Sequence, residues 1–157
     1  MCMICRRVWP LFRSDNMDIW DQLYAAAAPL YHPDYLSPRL EAHRVACALE
    51  AADGQIYTGF NIDSACGVMN LCAERVAALA MITQSGQTVI KRLLVCRATP
   101  PKDGDSMPCG ACREFFLQLN AANRDMEILV DFDRRETITL DTLCPHWWLG
   151  ATERSTV

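Results

Sequence analysis

The chain has 157 residues and a net charge of −4, with an isoelectric point near 5.3, which argues against a basic nucleic-acid-binding surface. No apolar run approaches the roughly 20 residues that a membrane-spanning helix needs, so we expect neither nucleic acid nor membrane as a partner. The first residues lack the pattern of a secretory signal peptide, so the nine cysteines are expected to be reduced thiols or metal ligands in the cytoplasm.

The length fits one domain with a substantial core, because chains of this size bury roughly 70 % of the surface that their unfolded form exposes. Residues 1–16 look detached from the rest, and Met17 is itself suited to be a start residue. We therefore predict a leader without fixed structure over 1–16, a single domain over 17–150 and a short tail over 151–157.

An amphipathic helix and a hairpin begin the predicted domain. The helix is capped by Asn16 or Asp18 and extends to about Leu30, with its apolar residues on one face. Residues 31–40 contain two prolines, which predict a loop. Residues 43–62 form two apolar, alternating runs on either side of an Asp-Gly pair, and this pattern predicts a β-hairpin.

The second half of the predicted domain alternates helices with strands. This order predicts an α/β fold in which helices cover both faces of a mixed, five-stranded sheet. The predicted elements are a helix from about Leu71 to Gln84, a strand over 90–98, a proline-rich loop over 99–108, a helix over 109–120, and strands over 126–132 and 136–143.

Three cysteines lie at the starts of these two helices. Cys72 opens the first, and Cys109 and Cys112, in the segment PCGAC, open the second. The positive end of a helix dipole lowers the pKa of a thiol, and the thiolate is the form that binds zinc. Cys109 and Cys112 are three residues apart and so share one helix face. Three protein ligands leave a fourth tetrahedral position for water, which is typical of a catalytic zinc site.

Other uses of the cysteines remain open at this point. A single cysteine in an apolar helix is more often a core residue than a ligand. CGAC at a helix start also resembles the redox pair of thioredoxin-like proteins, although that interpretation leaves the earlier Cys-Ala-Glu segment unexplained. Cys2 and Cys5 form another C-x-x-C, so a closed structural site with Cys109 and Cys112 is a further alternative.

Three segments together carry a resemblance to a known family. CAER at 72–75, PCGACRE at 108–114 and DGQIYTGFNID at 53–63 resemble the small, three-cysteine, zinc-dependent cytidine deaminases. The resemblance covers the chain from about 19 to 148. It implies a three-layer α/β/α cytidine-deaminase-like fold, one Zn²⁺ per subunit held by the three cysteines, and a homotetramer with shared active sites.

The resemblance also implies a reaction. A zinc-activated water attacks C4 of the cytosine ring, which releases ammonia and leaves the uridine, as in pyrimidine salvage. Glu74 is expected not to bind zinc but to move protons from the water to N3 and to the departing ammonia. Arg75 corresponds to a family arginine that hydrogen-bonds to the ligating sulfurs and offsets their negative charge.

Five residues are expected to contact the substrate. Asn61 matches the first residue of the family's ribose-binding segment, and Asp63 stands in place of a glutamate that is one methylene longer. His43 falls at the place of an aromatic residue that packs on the base, or else is a surface histidine at a strand end. Trp148 is either supplied to a neighbouring subunit's site or part of the C-terminal core. Ala73, next to the first zinc ligand, completes the set.

The leading hypothesis is hydrolytic deamination of cytidine and 2′-deoxycytidine. Because blasticidin S deaminases share the zinc motif and vary the ribose-binding segment, a modified cytosine nucleoside such as blasticidin S is the first alternative. A thiol–disulfide protein or a non-catalytic zinc-binding protein is the alternative of another class. Cys66, in the loop before Cys72, is a competing ligand, and the sequence does not explain Glu114, where the family has a glutamine.

Overall fold

The structure, a computed structural model, describes residues 17–148. The predicted leader over 1–16 and the predicted tail over 151–157 lie outside these residues, as do the last two residues of the predicted domain. None of the helices within the described part of the chain is long and apolar enough to cross a membrane.

The first helix begins at one of the two predicted caps. Helix α1 spans Ile19–Ala27, and a 3-10 turn over Ala28–Leu30 extends it to the predicted end. The Asp18 carboxylate accepts a hydrogen bond from the Asp21 N–H at 2.9 Å, and the Asp21 carboxylate accepts one from the Asp18 N–H at 3.3 Å. This reciprocal cap satisfies two N–H groups that a helix start leaves without partners.

A long hairpin forms one side of the sheet, where the alternating pattern predicts it. Strand β2 spans Leu40–Ala51 and pairs antiparallel with β3, which spans Ile56–Ser64. In the turn, the Gly54 N–H donates to the Ala51 oxygen at 3.0 Å. Gly54 has a φ of 84°, a left-handed conformation that glycine adopts without steric cost.

A short strand lies in the segment that the sequence predicts as a loop. Strand β1 spans Asp34–Ser37 and pairs antiparallel with β2, with Asp34 opposite Ala42. Pro33 and Pro38 bound this strand, and a proline has no N–H to give to a ladder. The two prolines therefore limit the strand to four residues at the edge of the sheet instead of excluding it.

The helix predicted from about Leu71 is confirmed, and it begins beside a cysteine. Helix α2 spans Ala73–Ser85 with Cys72 as its N-cap, and it ends at Gly86, whose φ is 70°. Strand β4 follows over Ile90–Cys96. The chain therefore returns to the sheet as predicted.

The C-terminal elements follow the predicted order with one difference. The predicted strand over 136–143 ends at Thr139, whose hydroxyl accepts a hydrogen bond from the Thr142 N–H at 3.3 Å. This contact caps a short helix, so the second half of the predicted strand is helical. The elements are α3 (Gly110–Leu119), a 3-10 turn (Ala121–Asp125), β5 (Glu127–Asp131), β6 (Glu136–Thr139) and α4 (Leu140–Leu143).

The sheet is mixed, as predicted, and includes β1 as a sixth strand. Strand β2 pairs antiparallel with β1, β3 and β4, strand β4 pairs parallel with β5, and β5 pairs antiparallel with β6. Apolar residues of α1 pack on one face of the sheet, and those of α2 and α3 pack on the other. The described part of the chain therefore has the three-layer α/β/α arrangement.

One glycine fixes how closely α2 approaches the sheet. A Cβ on Gly59 would lie 2.5 Å from the Ala73 oxygen and 2.5 Å from the Ala77 nitrogen, so only a hydrogen fits there. The first turn of α2 therefore rests directly on the backbone of β3. Asn61 lies two residues further along β3 and projects from the same face.

Candidate metal centre and catalytic cavity

The three cysteines at the helix starts lie together. Sγ of Cys109 is 3.6 Å from Sγ of Cys72 and 3.6 Å from Sγ of Cys112, and all three sulfurs lie within 4.8 Å of one another. Three thiolates on a tetrahedral zinc ion, at about 2.3 Å each, have sulfurs about 3.8 Å apart. The donor set and its spacing therefore fit one zinc ion. Within residues 17–148, no fourth histidine, cysteine or carboxylate joins the group.

The backbone of two helix starts places these sulfurs. Cys72 and Cys109 are the N-caps of α2 and α3, positions at which serine, threonine or aspartate normally accepts a backbone hydrogen bond. Neither cysteine makes a side-chain cap of this kind. Their sulfurs therefore face one another across the two helix starts, where the positive ends of both helix dipoles favour thiolates.

Burial and neighbouring groups shift the pKa values of the thiols unequally. Burial raises the pKa of Cys72 more than the hydrogen bond from Arg75 lowers it, and burial together with Glu74 raises the pKa of Cys112. Burial also acts on Cys109, but hydrogen bonds from the N–H and thiol of Cys112 outweigh it and lower the pKa of Cys109. Cys109 is therefore the thiol that ionises most readily.

The Glu74 carboxyl lines the cavity beside this cluster without belonging to it. Glu74 lines the cavity, lies outside the group of three sulfurs, and is only 4 % exposed. Burial raises the pKa of Glu74, against the lowering effects of its own backbone N–H, of Arg75 and of the Cys112 thiol. A buried carboxyl with a raised pKa is suited to accept a proton and return it.

Arg75 contacts the cluster from the first turn of α2. Its Nη2 donates to the Asn70 oxygen at 3.3 Å and to Sγ of Cys72 at 3.8 Å. Its Nε is buried and has no hydrogen-bond partner among the described residues. The hydrogen bond to Cys72 raises the pKa of the guanidinium, so Arg75 remains a cation beside the sulfurs.

A cavity of about 310 Å³ opens beside the sulfurs. The Asn61 side chain lines it and is fixed at both ends, because its Oδ1 accepts from the Val45 N–H at 2.7 Å and its Nδ2 donates to Asp63 at 2.6 Å. Of the residues singled out in the sequence, the cavity lining includes Asn61, Asp63, Cys72, Ala73, Glu74 and Cys109. The fold therefore brings most of the predicted substrate contacts to one cavity.

The loop over 99–108 forms part of the cavity wall, and a buried aspartate holds it. Asp131, which is 1 % exposed, accepts hydrogen bonds from the Asp103 N–H at 3.2 Å and from the Arg134 N–H at 2.8 Å. The Gly104 N–H donates to the Val130 oxygen at 3.0 Å. These bonds tie the loop that leads into α3 to the end of β5.

Two predicted substrate contacts lie away from the cavity lining. The ring of His43 stacks between His32 and Phe60 at centroid distances of 3.8 and 3.6 Å, and its Nδ1 lies 2.8 Å from the Leu30 oxygen. His43 has a φ of 62°, within an irregular stretch of β2. Trp148 is 79 % exposed. The roles expected for both residues stay predictions.

The structure gives physical accounts of two other residues. Cys66 is exposed, and its sulfur is not part of the sulfur cluster. The Glu114 carboxylate accepts hydrogen bonds from Gln118 Nε2 at 2.9 Å and from the Trp148 N–H at 3.2 Å. Glu114 therefore fastens the C-terminal segment to α3, a contact that the sequence did not suggest.

Three polar residues of the cavity lining were not predicted from the sequence. Asn70 accepts from Arg75 through its carbonyl, and its Oδ1 accepts from the Ser64 N–H at 2.7 Å. Arg97 and Ser106 line the cavity from its β4 side. The polar composition of the loop over 99–108 was the signal for Ser106, whereas no local pattern marks Arg97.

Comparison with known proteins agrees with the fold and the site. Residues 20–125 match the family model described as the cytidine and deoxycytidylate deaminase zinc-binding region. The chain is 31 % identical over 99 residues to a probable cytidine deaminase of Dictyostelium discoideum, a match that covers 63 % of each chain. It is 41 % identical over 74 residues to a cytidine deaminase of Sporosarcina psychrophila, covering 47 % of this chain and 52 % of that protein.

Solved structures extend the comparison to most of the chain. The cytidine deaminase of Mycobacterium leprae superposes with a TM-score of 0.62 and 25 % identity, over 83 % of this chain and 100 % of that one. That of Mycobacterium tuberculosis, at 23 % identity, shows the same fold with a TM-score of 0.63, over 84 % of this chain and 98 % of that one. In sequence, the chain matches 63 %, 54 % and 52 % of the lengths of three curated relatives. Because the family model matches more than half of the chain and the three sulfurs fit one zinc ion, the chain belongs to the cytidine and deoxycytidylate deaminase family.

Proposed function

We propose that this protein is a zinc-dependent hydrolase that converts cytidine and 2′-deoxycytidine into the corresponding uridines and ammonia. The observation that carries the proposal is a buried carboxyl, Glu74, in the same cavity as the three-sulfur cluster. A redox pair or a structural zinc site has no use for such a carboxyl. Hydrolytic deamination needs one, because protons must move from a water molecule to the ring and to the leaving group.

The cluster would hold one zinc ion through Cys72, Cys109 and Cys112. Zinc supplies a water molecule of lowered pKa, and with it a nucleophile near neutral pH. Three thiolates on Zn²⁺ give a net charge of −1, which weakens this effect. Arg75 would offset that charge, because its guanidinium donates to Sγ of Cys72.

Glu74 would carry the protons of the reaction. Its carboxylate would take a proton from the attacking water and transfer it to N3 of the cytosine ring. It would then take the remaining proton from the hydroxyl at C4 and deliver it to the amino group, which departs as ammonia while the C4 carbonyl forms. Burial raises the pKa of Glu74 and so brings its proton affinity nearer to that of the groups with which it exchanges protons.

The sugar would lie against β3. Asn61 is held rigidly by Val45 and Asp63, and an Asp63 carboxylate oriented in this way is suited to accept a hydrogen bond from a sugar hydroxyl. Ala73, at the start of α2, lines the same cavity and would contact the base. His43 would contribute only if the irregular stretch of β2 rearranged on binding.

Assembly and cellular context are part of the proposal. We expect a cytoplasmic homotetramer with shared active sites, acting in pyrimidine salvage. Two observations support assembly. Val68 and Met69, in the 3-10 turn close to the cavity, are 90 % and 59 % exposed, and Trp148 is 79 % exposed. Large apolar side chains exposed to this degree, two of them adjacent in the 3-10 turn, are typical of contact surfaces.

Metal analysis combined with an ammonia-release screen tests the proposed function. The purified protein is expected to contain about one zinc per chain. It should release ammonia from cytidine and deoxycytidine, and incubation with a chelator should abolish the release. Zinc without turnover of any cytosine nucleoside would contradict the proposed substrates. Absence of zinc, together with a Cys109–Cys112 disulfide that a thiol reductant opens reversibly, would favour the thiol–disulfide alternative.

A further inference from the structure

The loop over 99–108 contributes to both halves of the site. Its residues Ser106 and Met107 line the cavity, and Met107 also packs against the apolar core. The metal ligand Cys109 directly follows the loop. One short segment therefore presents a wall to the substrate and, two residues later, a sulfur to the metal ion.

One anchor of this loop is the Asp131 carboxylate, at the end of β5. Its Oδ2 accepts a hydrogen bond from the Asp103 N–H at 3.2 Å. Its Oδ1 accepts one from the Arg134 N–H at 2.8 Å, which is a contact within the hairpin of β5 and β6. The two oxygens therefore have different tasks, because Oδ1 holds the turn of the hairpin and Oδ2 holds the loop.

Arg134 strengthens this anchor from the surface. Its Nη1 lies 3.1 Å from Oδ2 of Asp131, and its Nη2 donates to the Asp103 carboxylate at 2.8 Å. The pair with Asp103 is exposed to water and contributes little. Asp131 is 1 % exposed, so the hydrogen bonds that it accepts are made away from water and are worth more. Asp131 therefore provides most of the strength of the anchor.

The second anchor of the loop is the Arg113 side chain on α3. Its Nε donates to the Pro108 oxygen at 2.8 Å, and its Nη1 donates to the Leu143 oxygen at 3.3 Å. Pro108 directly precedes Cys109, so this anchor acts on the residue next to a metal ligand. Neither of these two contacts involves Asp131. The two anchors therefore hold the loop independently of each other.

We propose that the two anchors position different parts of the site: Asp131 positions the cavity wall against the substrate, and Arg113 positions Cys109 against the metal ion. The described cavity lining includes neither Asp131 nor Arg113, so both are positioning residues. The first half of this inference rests on the proposed deamination. If the loop is closed in only a fraction of the molecules, the apparent substrate affinity falls by that fraction, whereas bound substrate reacts as before. The expected signature of Asp131 is therefore in KM, and that of Arg113 is in zinc affinity.

Asp131→Asn tests the first anchor. Asparagine keeps one acceptor for the Arg134 N–H but turns a donor toward the Asp103 N–H, so the hairpin contact is kept and the loop contact is lost. KM for the cytosine nucleoside should rise about 10-fold, while kcat changes by less than about 3-fold. Arg134→Gln should act in the same direction and by less, and its exposed position lets it carry the test if Asp131→Asn does not fold. Asp141→Asn, which makes the same change in an ion pair with Arg124 outside the cavity lining, should leave KM unchanged.

Arg113→Gln tests the second anchor and has the opposite expected result. Its zinc affinity, measured by competition with a chelator, should fall about 10-fold, while the zinc-loaded protein keeps its KM within about 3-fold. Arg113→Lys keeps the charge but not the planar fork that reaches two carbonyls, so it should recover part of the zinc affinity. In Asp131→Asn the zinc affinity should equal that of the native protein. A general loss of stability would instead affect both quantities in both variants.

Amide hydrogen exchange of the zinc-loaded protein provides a readout that does not depend on turnover. Asp131→Asn should speed exchange at Asp103 and Gly104, and Arg113→Gln should not. Unchanged KM with unchanged exchange in Asp131→Asn would overturn the proposal, and so would parallel losses of zinc and substrate affinity in both variants. Release of ammonia from no cytosine nucleoside would overturn the proposed function, and hydrogen exchange and zinc competition would then decide the two anchors.

Discussion

Glu74 and Cys72 are separated by one residue, and their side chains have different surroundings. Sγ of Cys72 faces two other sulfurs, whereas the Glu74 carboxyl lies in the cavity outside the ligand group. The helix start provides this division of roles, because Cys72 is the N-cap with an extended backbone, whereas Glu74 lies within the first turn of α2.

Replacing Glu74 by glutamine should separate metal binding from catalysis. Glu74→Gln keeps the size of the side chain but removes its ability to exchange protons. Zinc content should remain about one per chain, while kcat should fall by about 10²- to 10⁴-fold. Elemental analysis and ammonia release measure the two quantities. Glu114→Gln is the matched control, since it makes the same change on α3 outside the cavity lining. Near-normal turnover in Glu74→Gln would contradict the proton-transfer role.

Arg75 tests whether charge compensation at the sulfurs affects the rate. Arg75→Ala removes the donor to Sγ of Cys72 and leaves the sulfurs more negative, so kcat should fall by roughly 10-fold with zinc retained. Arg75→Lys, which keeps the charge without the planar fork, should recover part of the loss. Loss of zinc and of folded structure in Arg75→Ala would instead show that Arg75 serves the fold.

Single residues differ in how far the sequence reveals them. The cysteines and Glu74 were identified because their spacing has few chemical uses other than a zinc site. His43 shows the opposite case. The alternation of apolar and polar residues along β2 does not reveal that the pairing with β3 is irregular between Ala42 and Ala46. Within this irregular stretch the backbone of His43 has a φ of 62°. The side chain consequently stacks with His32 and Phe60 instead of lining the cavity.

The contact between α2 and β3 positions the metal centre at the scale of secondary-structure elements. Cys72 caps α2, and the first turn of α2 rests on the backbone of β3 at Gly59. A shift of α2 along this contact would move one sulfur relative to the other two, which are carried by α3. The geometry of the cluster therefore depends on one close approach between a helix and a strand.

Substitution of Gly59 tests this dependence. In Gly59→Ala the new methyl group would lie 2.5 Å from two backbone atoms of α2, so the helix must move. We expect a destabilisation of about 1–3 kcal/mol, measured by denaturant unfolding, together with weaker zinc binding in a competition with a chelator. Gly67→Ala is the control, because a Cβ at Gly67 meets nothing within 4 Å. Equal zinc affinity in both variants would show that α2 does not position the cluster.

The elements predicted from the sequence differ from the structure at two places, β1 and the end of β6. At both places a local sequence pattern suggests a structure other than the one that forms. The alternation of β2 and β3 and the cap of α1 identify these elements because burial and capping repeat at fixed spacings. Strand β1 was missed because its prolines suggested a loop, and it exists only through its pairing with β2. The end of β6 was misplaced because the hydroxyl of Thr139 begins a helix inside an apolar, β-branched run.

Exposed apolar residues predict self-association at the scale of the whole molecule. Light scattering should give a mass near four times that of the 17.7 kDa chain. Val68→Asp, which places a charge on a residue that is 90 % exposed, should lower this mass and reduce turnover if neighbouring subunits complete the active site. Gln55→Glu, at the tip of the hairpin, should change neither. A native protein that is monomeric at micromolar concentration, yet fully active, would contradict shared active sites.

The sequence by itself predicted the three cysteines of the cluster, the glutamate proposed to carry protons, and the order of the helices and strands apart from β1 and α4. These predictions follow from residue spacings along the chain, because the regular geometry of helices and strands fixes where residues at a given spacing lie. Only the tertiary structure decided which side chains share the cavity. The pairing of β2 with β3 and with β4 brings Asn61 and Arg97 to one cavity, and the loop before α3 buries Ser106 beside it. Contacts between residues far apart in the chain have no local signature, because they arise from strand pairing and packing and not from the periodicity of one segment.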